Sequence, residues 1–284
     1  MRFGVHVGIG GGFVRSIHEA VAAGCDCIQI FAGNPRGWRT TPYDQAAWAE
    51  FGRRRAELGI APTVIHTSYL INLAAADRSL QAKSANLVAH DLDVAARSNV
   101  EYVNTHLGSY GAQDRARAFK RVCDTIARIV AKMKRGPMLL LENSAGAGNL
   151  CGGTLDELGR ILRAVGSSRV GVCLDTAHAW ASGYDISGSA GVAEFLREIK
   201  RHIGFARVRA LHLNDTNVAL GARRDAHWHV GKGSIGPDGF RALLRSRELR
   251  HVAVICETPK TPQLDAENVL TARRLAGAQR RRPK

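Results

Sequence analysis

No stretch of this 284-residue chain approaches the roughly 18 to 20 consecutive apolar residues that a membrane-spanning helix needs, so a helical membrane protein is excluded. The start, MRFGVHVGIGGGF, has one Arg and then glycines where a secretory signal would carry an apolar core, so export is not expected. No Cys-x-x-Cys pair occurs. Six cysteines (Cys25, Cys27, Cys123, Cys151, Cys173, Cys256) are scattered, and Cys27, Cys173 and Cys256 sit in apolar runs where a thiol acts as a small hydrophobe. That usage predicts a reducing, cytoplasmic compartment. Acid is also scarce: 25 Asp plus Glu against 40 Lys plus Arg leave a net charge of +15. The excess points to anionic partners, nucleic acid above all, although an arginine-rich proteome would produce the same balance. With 45% hydrophobic and 23% charged residues, disordered, collagen-like and coiled-coil chains are ruled out.

What is present alternates. Short β-branched or apolar runs recur at 3–7, 27–31, 62–66, 100–106, 138–142, 170–175, 208–213 and 252–257, and most are followed by segments with helical spacing, such as 44–58, 78–98, 113–134 and 154–165. Thr154-x-x-Glu157 reads as a capping box and Gly166 as a helix stop. Buried strands each followed by a helix predict a parallel sheet with crossover connections. Eight such units predict a single α/β (β/α)8 TIM barrel over 1–272, followed by a basic C-terminal tail over 273–284 (Arg273, Arg274, and Arg280 onward). The competing doubly wound sheet lacks its glycine fingerprint: Phe13 takes the third glycine position after Gly8 and Gly10, and Gly231-x-Gly233-x-x-Gly236 follows a His-rich loop instead of a strand. No Walker A sequence is present.

The strands end on chemistry. In order they close on His66, His106, Glu142, Asp175 (with His178 three residues on), His212 and Glu257, and the loop after strand seven adds Asp225 and His227. From His66 to His212 the spacings are 40, 36, 33 and 37, one βα unit each time. Such side chains land at the C-terminal mouths of their strands, which in a closed barrel surround one cavity. A single strand-end His is commonly a hydrogen-bonded structural residue, and a single Asp commonly a helix cap. Nine on one rim are not explained that way. His and carboxylate without Cys favour zinc or manganese. Five neutral imidazoles and four carboxylates carry −4; two divalent ions would leave the cage neutral and three would leave it at +2, a charge suited to a phosphodiester. The expectation is a multinuclear metal centre for phosphodiester hydrolysis, in which bound water has its pKa lowered toward ~7.

The motifs HTSYLINLA, THLGS, LENSAGAGN, GVCLDTAHAWASGYD, LHLND, RRDAHWHVGKGSIG and ICETP, read in order, resemble the endonuclease IV family of zinc-dependent apurinic/apyrimidinic DNA repair endonucleases, and the likeness runs from about Gly4 to Pro259. It implies a hydrolase that cuts the phosphodiester 5′ to an abasic site, leaving a 3′-hydroxyl and a 5′-deoxyribose phosphate, and that trims blocked 3′ ends. It further implies three zinc ions, with manganese as the alternative at the third site. Glu142 would be the catalytic carboxylate bridging two ions, His66 and His106 completing the first site and Asp175, His212 and Glu257 the second, with His178, Asp225 and His227 holding the third. Arg36, in Asn34-Pro35-Arg36-Gly37-Trp38, and Tyr69 with Leu70 match the family's DNA-contacting loops, while Trp38 is expected to pack. Double-stranded DNA with abasic sites or blocked 3′ ends is the implied partner of a monomer, with no membrane involved.

Departures from that pattern are Lys232 between two glycines where an acid is common, Ala147, Gly33, and an additional imidazole at His229 near the third site; they bear on backbone affinity and lesion preference. His6 is expected beneath the cluster, whereas His18, His90, His202 and His251 fall on helices or turns. A metal-dependent sugar isomerase or epimerase of the related barrel superfamily shares Glu142, Asp175, His212 and Glu257 but has no use for Asp225, His178 and His227. A DNA-binding protein with a dead site is the non-enzymatic alternative, and complete ligands argue against it.

Overall fold

A computed structural model describes residues 1–133 and 136–278. Eight parallel strands, β1 (Arg2–His6), β2 (Cys27–Phe31), β3 (Thr63–His66), β4 (Tyr102–Thr105), β5 (Met138–Glu142), β6 (Val170–Asp175), β7 (Val208–His212) and β8 (Ala253–Cys256), close in sequence order into a barrel, β8 pairing back onto β1. The expected TIM barrel is therefore the fold. The strands start and stop within two residues of their predicted limits, and His106 and Glu257 fall one residue past the hydrogen-bonded ends of β4 and β8.

Around them run α1 (Phe13–Ala22), α2 (Gln45–Glu57), α3 (Arg78–Arg97), α4 (Arg115–Ala131), α5 (Leu155–Val165), α6 (Thr176–Ala181), α7 (Ser189–His202), α8 (Gly236–Arg245) and α9 (Pro262–Ala276). The predicted end of the fourth helix, at 134, lies outside the described residues. Side-chain oxygens start most of the helices: Asp44, Asp77 and Asp114 accept N–H groups of the first turns of α2, α3 and α4, and Thr261 does so for α9. Only half of the expected capping box forms. Thr154 Oγ1 accepts the Glu157 N–H at 3.1 Å, but the Glu157 carboxylate turns inward to the Gly152 N–H and Arg115. Gly166 ends α5 in the left-handed conformation, as its position predicts.

Alternation along the strands decides which side chains face the barrel axis. Leu139 and Leu141, Val172 and Leu174, Leu211 and Val254 join the large core beneath the helices. Their neighbours form separate small clusters inside the barrel, Leu140 with Cys173 and Ala210, and Cys27 with Ala253 and Ile255. Two residues further along these same inner rows come Glu142, Asp175, His212, Gln29 and Glu257. Gly4 is required where β1 meets β2, because a Cβ there would stand 1.8 Å from the Cys27 carbonyl oxygen. The last helix corrects the domain boundary. Arg273 and Arg274 belong to α9 and not to a tail, and Arg273 is buried, pairing with Asp26 at 2.7 Å and donating to the Gly24 carbonyl at 2.9 Å. Residues 279–284 of the expected tail lie outside the described residues.

Candidate metal centre

All nine strand-end and loop residues meet at one mouth. Atoms able to ligate a metal come within 4.8 Å of one another in three groups: His66, His106 and Glu142; Glu142, Asp175, His212 and Glu257; and Asp175, His178 and His227. Asp225 joins the last group, its Oδ1 lying 3.2 Å from Nε2 of both His178 and His227. Glu142 is the hub. Its Oε2 lies 3.3 Å from His66 Nε2 and 3.7 Å from His106 Nε2, and its Oε1 lies 3.1 Å from His212 Nδ1. The two oxygens of one carboxylate thus serve two different groups. Most of the cluster is buried, but the side chains of His106 and Asp225 are 31% and 60% exposed, so it opens to solvent on their side.

The local folding that builds it is simple. Asp175 ends β6 and is also the N-cap of α6, accepting the His178 N–H at 2.8 Å, and one turn of that helix carries the His178 ring back over the strand end. Backbone carbonyls set the ring tautomers: Nδ1 of His66 faces the Thr67 oxygen at 2.7 Å, that of His178 the Asn143 oxygen at 2.9 Å, and that of His227 the Glu257 oxygen at 3.1 Å. A carbonyl only accepts, so each Nδ1 carries a proton, and Nε2 is the nitrogen left facing the cluster, a lone-pair donor whenever the ring is neutral. Nε2 of His178 and of His227 are buried and make no hydrogen bond among the described residues. Imidazole nitrogens converging with carboxylates, without thiolate, fit a divalent metal ion.

Electrostatics follow from the crowding. Burial alone would keep these rings neutral, but Asp175, Asp225 and Glu142 lift His178 to about 10, and Asp175 and Asp225 lift His227 to about 9. Burial works equally against the ionised carboxyls of Glu142 and Glu257, and the facing imidazoles overcome it and hold both well below the usual range. The protein interior here asks for positive charge, supplied by protons or by metal.

Several partners escaped the sequence reading because amides carry no metal-site signal. Asn104 Nδ2 donates to Glu142 Oε2 at 2.6 Å; Asn214 Nδ2 donates to Asp175 Oδ2 at 2.7 Å and its Oδ1 accepts the Glu257 N–H at 2.8 Å; Asn143 Oδ1 accepts the Asp175 N–H at 2.6 Å. Gln29 touches both His212 and Glu257. His6 does lie beneath the cluster, 3.4 Å from Glu257. His229 does not extend it; its Nδ1 meets Asn268 at 3.1 Å.

At the rim, Tyr69 is 58% exposed, its ring edge-on to Phe31 at 5.3 Å. Its N–H and the Ser68 hydroxyl both donate to the Pro35 carbonyl, at 3.0 and 2.7 Å, which ties the loop of Tyr69 and Leu70 to that of the exposed Arg36. Trp38, expected to pack, is 36% exposed, and Trp228, next to His227 along the chain, is 37% exposed. A groove of about 950 Å3 between α3 and α4 lies on the barrel's flank and includes none of these residues.

The family model of the xylose isomerase-like TIM barrel matches residues 17–277. Curated proteins named probable endonuclease 4 match nearly end to end: that of Methanoculleus marisnigri is 40% identical over 97% of this chain and 99% of its own, and that of Natranaerobius thermophilus 39% identical over 92% of each. The chain belongs to the endonuclease IV family. The crystal structure of endonuclease IV from Thermus thermophilus superposes with a TM-score of 0.85 at 35% identity, over 98% of this chain and 99% of that one. A D-tagatose 3-epimerase-like protein reaches a TM-score of 0.75 at 19% identity, a likeness of fold. As a member of the endonuclease IV family the chain is a DNA repair endonuclease, a hydrolase, whose His, Asp and Glu clusters can bind metal. No helix among the described residues is long and apolar enough to cross a membrane.

Proposed function

We propose that this chain is an apurinic/apyrimidinic endonuclease that cuts the backbone of double-stranded DNA 5′ to an abasic site, leaves a 3′-hydroxyl and a 5′-deoxyribose phosphate, and trims blocked 3′ ends. The observation that carries this reading is the trio of adjoining ligand groups around Glu142. With the imidazoles neutral, four carboxylates repel a phosphodiester, so an anionic substrate is admitted only when the positive charge of bound cations exceeds theirs. Three divalent ions against −4 leave +2, the count suited to that substrate. His66 and His106 would hold one ion, Asp175, His212 and Glu257 a second, and His178, Asp225 and His227 a third, with Glu142 shared by the first two. Zinc suits the nitrogen and oxygen donors, and manganese is the alternative at the third position.

When bound, such ions supply Lewis acidity and bring the pKa of water down toward ~7. The chain supplies the rest. Asn104 fixes the orientation of the Glu142 carboxylate, the backbone carbonyls of Thr67, Asn143 and Glu257 fix three imidazoles, and the open side by His106 and Asp225 admits the phosphate. Arg36, Tyr69 and Leu70 probe the gap left by a missing base, where stacking is already lost and extrusion of the sugar costs less than at an intact pair. A sugar isomerase has no use for the group formed by His178, Asp225 and His227. Six free, buried cysteines suit the reducing cytoplasm, and a monomer suffices because one chain contributes every ligand.

The test is incision of a duplex bearing one tetrahydrofuran abasic analogue without added magnesium, lost on prolonged chelation and restored by zinc. Turnover of sugars or undamaged DNA alone would sink the assignment.

A further inference from the structure

Gln29 is fully buried on the inner face of β2, and its one amide touches three groups on three other strands or their ends. Its Nε2 lies against Glu257 Oε1 and 2.9 Å from His6 Nδ1, and its Oε1 lies 2.8 Å from His212 Nε2. The orientation of this amide follows by elimination. An ionised carboxylate only accepts, so the Gln29 NH2 must face Glu257, and the Gln29 oxygen is left to face His212. An amide oxygen also only accepts, so His212 Nε2 must carry a proton. The nitrogen that His212 turns to the cluster is then Nδ1, which stands 3.1 Å from both Glu142 Oε1 and Glu257 Oε2. His66, His178 and His227 present the opposite nitrogen, because backbone carbonyls hold their Nδ1 atoms.

We propose that Gln29 is a positioning residue that locks His212 in the Nε2–H tautomer and clamps Glu257, so that one amide sets the geometry of two donors of the central group. The inference rests on the reading of the cluster as a metal centre. The second N–H of the same amide points at His6 Nδ1, 2.9 Å away, and an N–H donor there requires that nitrogen to accept. His6 thereby prevents the amide from flipping, since the reversed amide would set its oxygen against both the carboxylate and a ring lone pair.

The experiment compares wild type with Gln29→Met, which keeps length and volume but removes all three hydrogen bonds, and with Gln29→Glu, which still accepts from His212 but sets a second carboxylate against Glu257. Zinc per chain is measured after equilibration with a competing chelator, together with ring 15N shifts of His212 and kcat and KM on the abasic duplex. The expected result for Gln29→Met is loss of one ion per chain, that of the central group, with roughly 10- to 100-fold lower zinc affinity, a mixed His212 tautomer, and a fall in kcat with KM little changed. Gln29→Glu is expected to keep the single tautomer while losing zinc affinity, so it tests the proposal even if the Met variant does not fold. A Gln29→Met chain with wild-type zinc affinity and a single His212 tautomer overturns the proposal, as does a folded Gln29→Glu chain with undiminished zinc affinity. A wild-type chain that binds no divalent ion overturns the metal reading itself, a result distinguishable because it needs no variant.

Discussion

Asp175 performs two tasks with its two oxygens: Oδ1 accepts the His178 N–H at 2.8 Å and starts α6, while Oδ2 takes the Asn214 amide at 2.7 Å and lies 3.6 Å from His227 Nε2. Fold and chemistry can therefore be separated at this residue. Asp175→Asn keeps an oxygen for the cap but places an NH2 where Asn214 donates, a loss of about 1 kcal/mol. Asp175→Ala forfeits the cap as well, a further ~0.5–2 kcal/mol. Both are expected to lose at least ~10²-fold in incision, more than a supporting residue costs. Thermal melts beside nicking rates check this; equal loss of stability and little loss of rate would refute it.

Replacing the rim residues is expected to spare the metals. On the proposed function, Tyr69→Ala, Leu70→Ala and Arg36→Ala should each lower kcat/KM on an abasic duplex, by about 1–3 kcal/mol for Tyr69 if it stacks on a base, with bound-metal content unchanged. Elemental analysis beside kinetics decides. A drop in zinc would show that these loops support the cluster and do not read the lesion.

Burial pushes the Asp91 carboxyl on α3 up from 3.8 to about 7, and it has no hydrogen-bond partner among the described residues. The folded carboxyl then binds its proton more tightly than the unfolded one, so stability falls as pH rises from about 4 to 7 and levels off above. Asp91→Asn abolishes this slope. The variant should gain on wild type by up to about 1.4 kcal/mol per pH unit across that window. Melting temperatures of both proteins at pH 5 and 8 measure it, and a constant difference would show that Asp91 is ionised throughout.

The pair of Arg273 with Asp26 anchors α9 to the barrel's first crossover. Arg273→Met leaves Asp26 buried and unpaired, at a cost of about 3–5 kcal/mol, and adding Asp26→Leu should recover much of it. A chain cut after residue 272 should melt early for the same reason. Denaturant unfolding of the single and double variants provides the check.

Much of this was legible beforehand because it rests on local pattern. Alternating strand and helix signals marked all eight strands, and a parallel barrel gathers every strand's C-terminal end on one rim, so spacing alone placed His66, His106, Glu142, Asp175 and His212 together. What local pattern misjudged had its cause elsewhere in the fold. Glu157 abandoned its cap because Arg115, Gly152 and Tyr110 stood nearer, Arg273 left the tail for a carboxylate 247 residues away, and His229 found Asn268 before any metal ligand.

The chain's order of residues, then, determined the barrel, its period and the donors on its rim, since hydrophobic alternation and strand ends are properties of neighbours along the chain. Which nitrogen each imidazole presents, which oxygen of Glu142 serves which group, and where the cluster opens were decided only by tertiary structure. Those depend on amides and carbonyls such as Gln29, Asn104 and Asn143, which give no signal in sequence and act only across strands brought within hydrogen-bond reach.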